Sequence, residues 1–172
     1  YNTVIKMKIL IKIIFLLLFS KSVFAYCDFE IVKMESGVKS LAAKTNFIQD
    51  VDNLPELPFT FPIPVEEICK DSKFIMFPVN FTYINKKLYQ IFIEDMLSDI
   101  NHLENLKYYY GNPTEEYEDS GSSGMNFYHW DFSNKHIFLV IKYTPNEVIQ
   151  NIEIVSSKYS KMMEEHNEAI EE

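Results

Sequence analysis

Three alternating apolar–polar runs follow one another near the C-terminus: Asn126–Phe132, His136–Tyr143 and Val148–Val155. Only the turns Ser133-Asn134-Lys135 and Thr144-Pro145-Asn146-Glu147 separate them. A period of two places successive side chains on opposite faces of a strand. Connections this short join antiparallel neighbours, whereas parallel strands need a crossover of a dozen residues or more. This stretch is therefore confined to a meander. An earlier pair repeats the logic. In Phe74–Ile84, Ile75, Phe77, Val79, Phe81 and Tyr83 share one face, with Met76, Pro78, Asn80 and Thr82 on the other. Asn85-Lys86-Lys87 turns the chain, and Leu88–Glu94 returns. Pro78 predicts an edge strand or a bulge for the outgoing run.

Helical spacing appears between these runs. Met96, Ile100, Leu103, Leu106 and Tyr110 predict a helix over Asp95–Tyr110, stopped by Gly111 and Pro113. Val38, Leu41, Ala42 and Thr45 predict a shorter one over Ser36–Phe47, with Ser36 as N-cap. An acidic helix closes the chain from about Ser157 to Glu168. Cys27–Val32 reads as a short strand, and Pro113–Gly124 as an acidic loop. Pro55, Pro58, Pro62 and Pro64 exclude a regular helix or a central strand from residues 50–68. Pro64 instead opens a short helix, Val65–Lys70. The fold class is α+β, an antiparallel sheet of meanders and hairpins with two or three helices packed on one face. An offset of 60 maps Tyr83 onto Tyr143, Gln90 onto Gln150 and Phe92 onto Ile152. It raises the alternative of two similar helix-plus-meander halves.

The N-terminus speaks to compartment. Lys8 and Lys12 precede the apolar block Ile13–Phe19, and Ser20-Lys21-Ser22-Val23-Phe24-Ala25 follows. These are the basic, apolar and small-residue parts of a secretory signal peptide. Met7 is the expected start and the cut is expected after Ala25, leaving 26–172 as a single α+β domain. The apolar block falls short of the ~20 residues a membrane-spanning helix needs. Tyr26 before Cys27 excludes a lipoprotein signal, and the competing reading is an ordinary buried helix.

Loss of residues 1–25 removes four lysines and no acid, so the net charge moves from −9 to −13. Phosphate binding needs clustered cations. Nucleic acid and anionic membrane surfaces are excluded as partners, and no stable membrane insertion is expected after signal cleavage. All basic residues are lysine, which removes the bidentate guanidinium anchor for carboxylate or phosphate. Cys27 and Cys69 are the only cysteines. In an exported chain they predict one disulfide, worth about 4 kcal/mol in the chain-entropy estimate for a loop of this length; free or intermolecular thiols are the alternative.

One polar constellation stands out. His129 and Asp131 point to the same side of a strand, while Tyr128, Trp130 and Phe132 point to the core. His136 begins the next strand, close enough to join them. Two imidazoles and a carboxylate can hold zinc with an open position. The competing reading is the solvated side of a half-covered antiparallel sheet. His102 reads as a solvated residue beside Glu104, and nothing is drawn from His166. Glu115, Glu116, Glu118 and Asp119 lack calcium-loop spacing. Gly121-Ser122-Ser123-Gly124 lacks the spacing of a nucleophile elbow. At least one ring of Tyr108-Tyr109-Tyr110 must be exposed. No cofactor motif is present. The leading expectation is a non-catalytic secreted or periplasmic binding module with a protein or envelope component as partner. The alternatives are a metal-binding protein or metal-dependent hydrolase using His129, Asp131 and His136, and a structural envelope subunit pairing through the 74–84 strand.

Overall fold

A computed structural model describes residues 26–46, 58–69, 77–95, 100–119 and 124–163. The signal-like segment, much of the proline-rich stretch, Gly121–Ser123 and His166 lie outside the described residues. In chain order the elements are α1 (Val38–Ala42), β1 (Phe59–Pro64), α2 (Val65–Ile68), β2 (Pro78–Ile84), β3 (Lys87–Asp95), α3 (His102–Tyr110), β4 (Glu115–Tyr117), β5 (Met125–Phe132), β6 (Lys135–Tyr143) and β7 (Val148–Ser156). A further helical turn covers 159–163. The protein is α+β and mostly sheet.

All seven strands form one antiparallel sheet in the order β1-β2-β3-β7-β6-β5-β4. Two meanders thus meet side by side, β3 pairing with β7. The C-terminal meander appears where its alternation placed it, within a residue at each end. Phe132 pairs with Lys135, so Ser133-Asn134 is a two-residue turn.

One face of the sheet carries the core. Ile63, Val79, Phe81, Tyr83, Leu88, Ile91, Ile93, Ile152, Ile154, Ile137 and Leu139 are each 0% exposed, and Tyr128 and Trp130 join them. The register explains the set. Ile93 lies opposite Val79 and Ile152, and Ile152 lies opposite Leu139, which faces Tyr128. Val38 and Leu41 of α1, Val65 of α2 and Leu106 of α3 belong to the same cluster. Gly111 ends α3 as expected: at φ 78° it adopts a conformation costly for other residues, and its N–H donates to the Lys107 carbonyl. Its own carbonyl accepts the indole N–H of Trp130 at 2.8 Å.

Several expectations need correction. Cys27–Val32 forms no strand. Its main chain is tied to side chains instead, the Cys27 N–H donating to Asn105 Oδ1 at 2.7 Å and the Asn105 amide donating back to the Cys27 carbonyl at 2.9 Å. The first helix starts at Val38 after Gly37, and Ser36 does not cap it. Ser36 is held by its carbonyl, which accepts the Leu88 N–H, and Gly37 bridges to Lys87. Of the helix expected over Asp95–Tyr110, Asp95 is instead paired in β3, opposite Gln150, and residues 96–99 lie outside the described residues; α3 starts at His102, where Asn101 caps it by accepting the Glu104 N–H. The acidic loop contains β4, which pairs with β5. Part of the proline-rich stretch is also a strand, β1, and it lies at the sheet edge, where proline is tolerated. The Phe74–Ile84 run is not an edge: its described part, β2, sits between β1 and β3 with Pro78 as its first residue. That removes the pairing surface expected of an envelope subunit.

The β2–β3 turn yields a stability prediction. Ile84 pairs with Lys87, leaving Asn85 (φ 49°) and Lys86 (φ 62°) both left-handed. Asparagine tolerates this conformation, whereas a residue such as lysine is strained there by about 1–2 kcal/mol. Lys86→Gly removes that strain but adds unfolded-chain entropy of about 0.5–1 kcal/mol. A net gain of about 0.5–1 kcal/mol is expected, read as a higher urea midpoint; a lower midpoint contradicts this account of the turn.

Candidate functional site on the second face of the sheet

The face opposite the core is only partly buried. Its residues line up in cross-strand rows. Glu115, His129, Phe138, Glu153 and Phe92 are successive partners from β4 to β3. Asp131, His136, Val155 and Gln90 form the adjacent row. Phe127 and Val140 pair in the next. The rows follow from alternation: each residue that points away from the core on one strand is matched by one on its neighbour.

The predicted trio does come together. His129 Nε2 lies 3.4 Å from His136 Nδ1, and His136 Nδ1 lies 3.2 Å from Asp131 Oδ1. One ligand atom from each residue lies within 4.8 Å of the others. Antiparallel pairing sets Asp131 directly opposite His136, and His129 sits two residues back along β5 on the same side. The His129 ring stacks on Phe138, centroids 4.6 Å apart with an 11° interplanar angle. His129 is the more enclosed imidazole, its side chain 16% exposed against 34% for His136 and 55% for Asp131.

Glu115 is a further neighbour of His129 that no sequence spacing signals. It pairs with His129 across β4 and β5, and its Oε2 lies 3.6 Å from His129 Nδ1. In the sequence this segment reads as an acidic loop, with no alternation that marks a strand. Glu116 is exposed; Glu118 accepts a hydrogen bond from the Tyr128 hydroxyl. Burial, and then that contact, pushes the Tyr128 phenol above its usual range.

His102 was misplaced by the sequence. It is 0% exposed, with Nε2 2.7 Å from Asp95 Oδ2. The face of α3 that packs on the core carries His102, Asn105 and Leu106, so this side chain points inward. Asp95 ends an inward-facing series on β3 (Ile91, Ile93, Asp95) and so meets it in the core. The rings of Phe29 and Phe77 flank the imidazole at 5.9 and 6.1 Å. This pair joins β3 to α3 inside the core.

Tyr108 and Tyr109 are exposed, and Tyr108 stacks on Tyr26. Cys27 and Cys69 stand at disulfide distance, Cα–Cα 5.6 Å, with both side chains buried. Among the described residues no helix is long and apolar enough to cross a membrane. Comparison with family models, curated proteins and solved structures finds no match.

Proposed function

We propose that residues 26–172 form an exported, non-catalytic binding module that presents the second face of its sheet to a cationic protein partner of the envelope. The observation that carries this reading is the contrast between the two faces. Strands β3 and β5–β7 bury a close-packed apolar side, while their reverse side keeps Phe92, Phe127 and Phe138 only half-buried. Helices α1–α3 contribute Val38, Leu41, Val65 and Leu106 to the apolar side, which supports their packing there. Rings held on paired strands supply contact area at small ordering cost. Charge gives the partner its sign. From β4 across to residues 90–94 of β3, this face carries Glu94, Glu115, Asp131 and Glu153 against one lysine, Lys142, among the described residues. Complementary potentials favour a basic partner surface.

Export is supported by the basic and apolar N-terminal pattern and by the cysteine pair, since disulfides persist in oxidising compartments. The two-half reading is supported by the hairpin turns. Ile84 pairs with Lys87 around Asn85-Lys86, and 60 residues on Thr144 donates its N–H to the Glu147 carbonyl around Pro145-Asn146.

The test is capture from native envelope extract. Immobilised 26–172 is expected to retain a basic protein that Phe127→Ser/Phe138→Ser loses by tenfold or more. Raising salt from about 0.05 to about 0.5 M, which shortens the electrostatic screening length, is expected to release it. Equal capture by the double variant, or capture indifferent to salt, overturns the proposal.

A further inference from the structure

We propose that His129, Asp131 and His136 form a binding site for one first-row divalent cation, with Zn²⁺ the fitting probe, and that Glu115 is a positioning residue behind His129. This inference concerns the free chain and does not depend on the protein partner.

Zinc holds imidazole nitrogen and carboxylate oxygen at about 2.0–2.2 Å, so two ligand atoms of a tetrahedral site stand about 3.3–3.5 Å apart. The His129–His136 separation is 3.4 Å and the His136–Asp131 separation is 3.2 Å. Two edges of the triangle already have the required length. The third, from His129 to Asp131, is within 4.8 Å and closes by rotation of a carboxylate that is 55% exposed. The members differ usefully in freedom: His129 is held by stacking on Phe138, and Asp131 is free to adjust.

Orientation is the second, independent observation. A histidine that ligates through one nitrogen commonly donates its other ring N–H to a carboxylate, which fixes tautomer and ring plane. Glu115 Oε2 lies 3.6 Å from His129 Nδ1, on the side away from His136. A proton on Nδ1 facing Glu115 leaves the Nε2 lone pair directed at His136 Nδ1. Two imidazole nitrogens facing each other beside a carboxylate gain more from a shared cation than from one long hydrogen bond. Three protein ligands leave a fourth position on the solvent side, as in open zinc sites. The absence of thiolate suits imidazole-preferring ions of the zinc class.

The experiment uses 26–172 without an affinity tag, stripped with chelator and titrated with Zn²⁺ alone in a calorimeter. One equivalent is expected, with His129→Ala and His136→Ala each weakening binding at least tenfold. Glu115→Gln is expected to weaken it about 10- to 100-fold, the usual effect of losing such an outer carboxylate. Co²⁺ in place of Zn²⁺ is expected to show the visible absorption of a four-coordinate ion, lost in His136→Ala. All these side chains lie on the face away from the core, so the variants are expected to keep the parent urea midpoint. Equal binding by the parent and a folded His136→Ala overturns the site, as does the lack of a saturable equivalent. Unchanged affinity in Glu115→Gln overturns the positioning role.

Discussion

Replacing His102 by alanine is expected to cost about 3–5 kcal/mol, the range seen when one partner of a buried polar pair is removed. The substitution deprives the Asp95 carboxylate of an imidazole 2.7 Å away, at a position where both side chains are at most 2% exposed. It also opens a hole between Phe29 and Phe77. A second variant separates pairing from mere bulk. Asp95→Leu combined with His102→Leu removes both polar groups and refills the space. Such replacements are often neutral, so the double variant is expected to recover most of the loss. Urea unfolding checks both. A His102→Ala midpoint near that of the parent contradicts the pair's structural role, and so does a double variant no better than the single.

Loss of the disulfide is expected to cost about 4 kcal/mol for a loop of this length, within the usual 2–5 kcal/mol. Its position explains why. Residues 26–36 form no helix or strand, yet Phe29, Val32 and Met34 are buried. The segment has few main-chain bonds of its own to offset its ordering entropy. Two anchors hold its start. Asn105 grips both backbone groups of Cys27, and the bridge ties Cys27 to the end of α2. Lys135 adds an ion pair with Glu30, roofed by the Tyr110 ring 4.8 Å away. Cys27→Ala/Cys69→Ala is expected to unfold at markedly lower urea than the oxidised parent and to match the parent in reductant. Identical midpoints for oxidised parent and variant contradict the bridge.

The sheet was largely legible because alternation is a strong local signal. Phe127–Phe132 and Ile137–Ile141 had to present alternate faces, and the trio followed from that geometry. The rest depended on distant contacts. Nothing local says that Ser36 and Gly37 are held extended by Leu88 and Lys87, or that Glu115 is drawn into a strand by His129. The α3 error has the same origin. Apolar spacing from Met96 favours a long helix, but pairing with Gln150 keeps Asp95 in β3, and α3 buries the face that carries His102, Asn105 and Leu106. For the prolines, the rule against central strands holds, and β1 is the kind of strand it permits, one at the sheet edge.

In the proposed division, the buried side of the sheet serves stability and the opposite side recognition. Hydroxyl-radical footprinting of 26–172 in native envelope extract, read by mass spectrometry against buffer alone, tests that division most directly. Protection is predicted at Phe92, Phe127 and Phe138, with Tyr108 and Tyr109 on α3 labelled as in buffer. Protection of Tyr108 and Tyr109, with Phe127 and Phe138 unchanged, would place recognition on the helix and contradict the account.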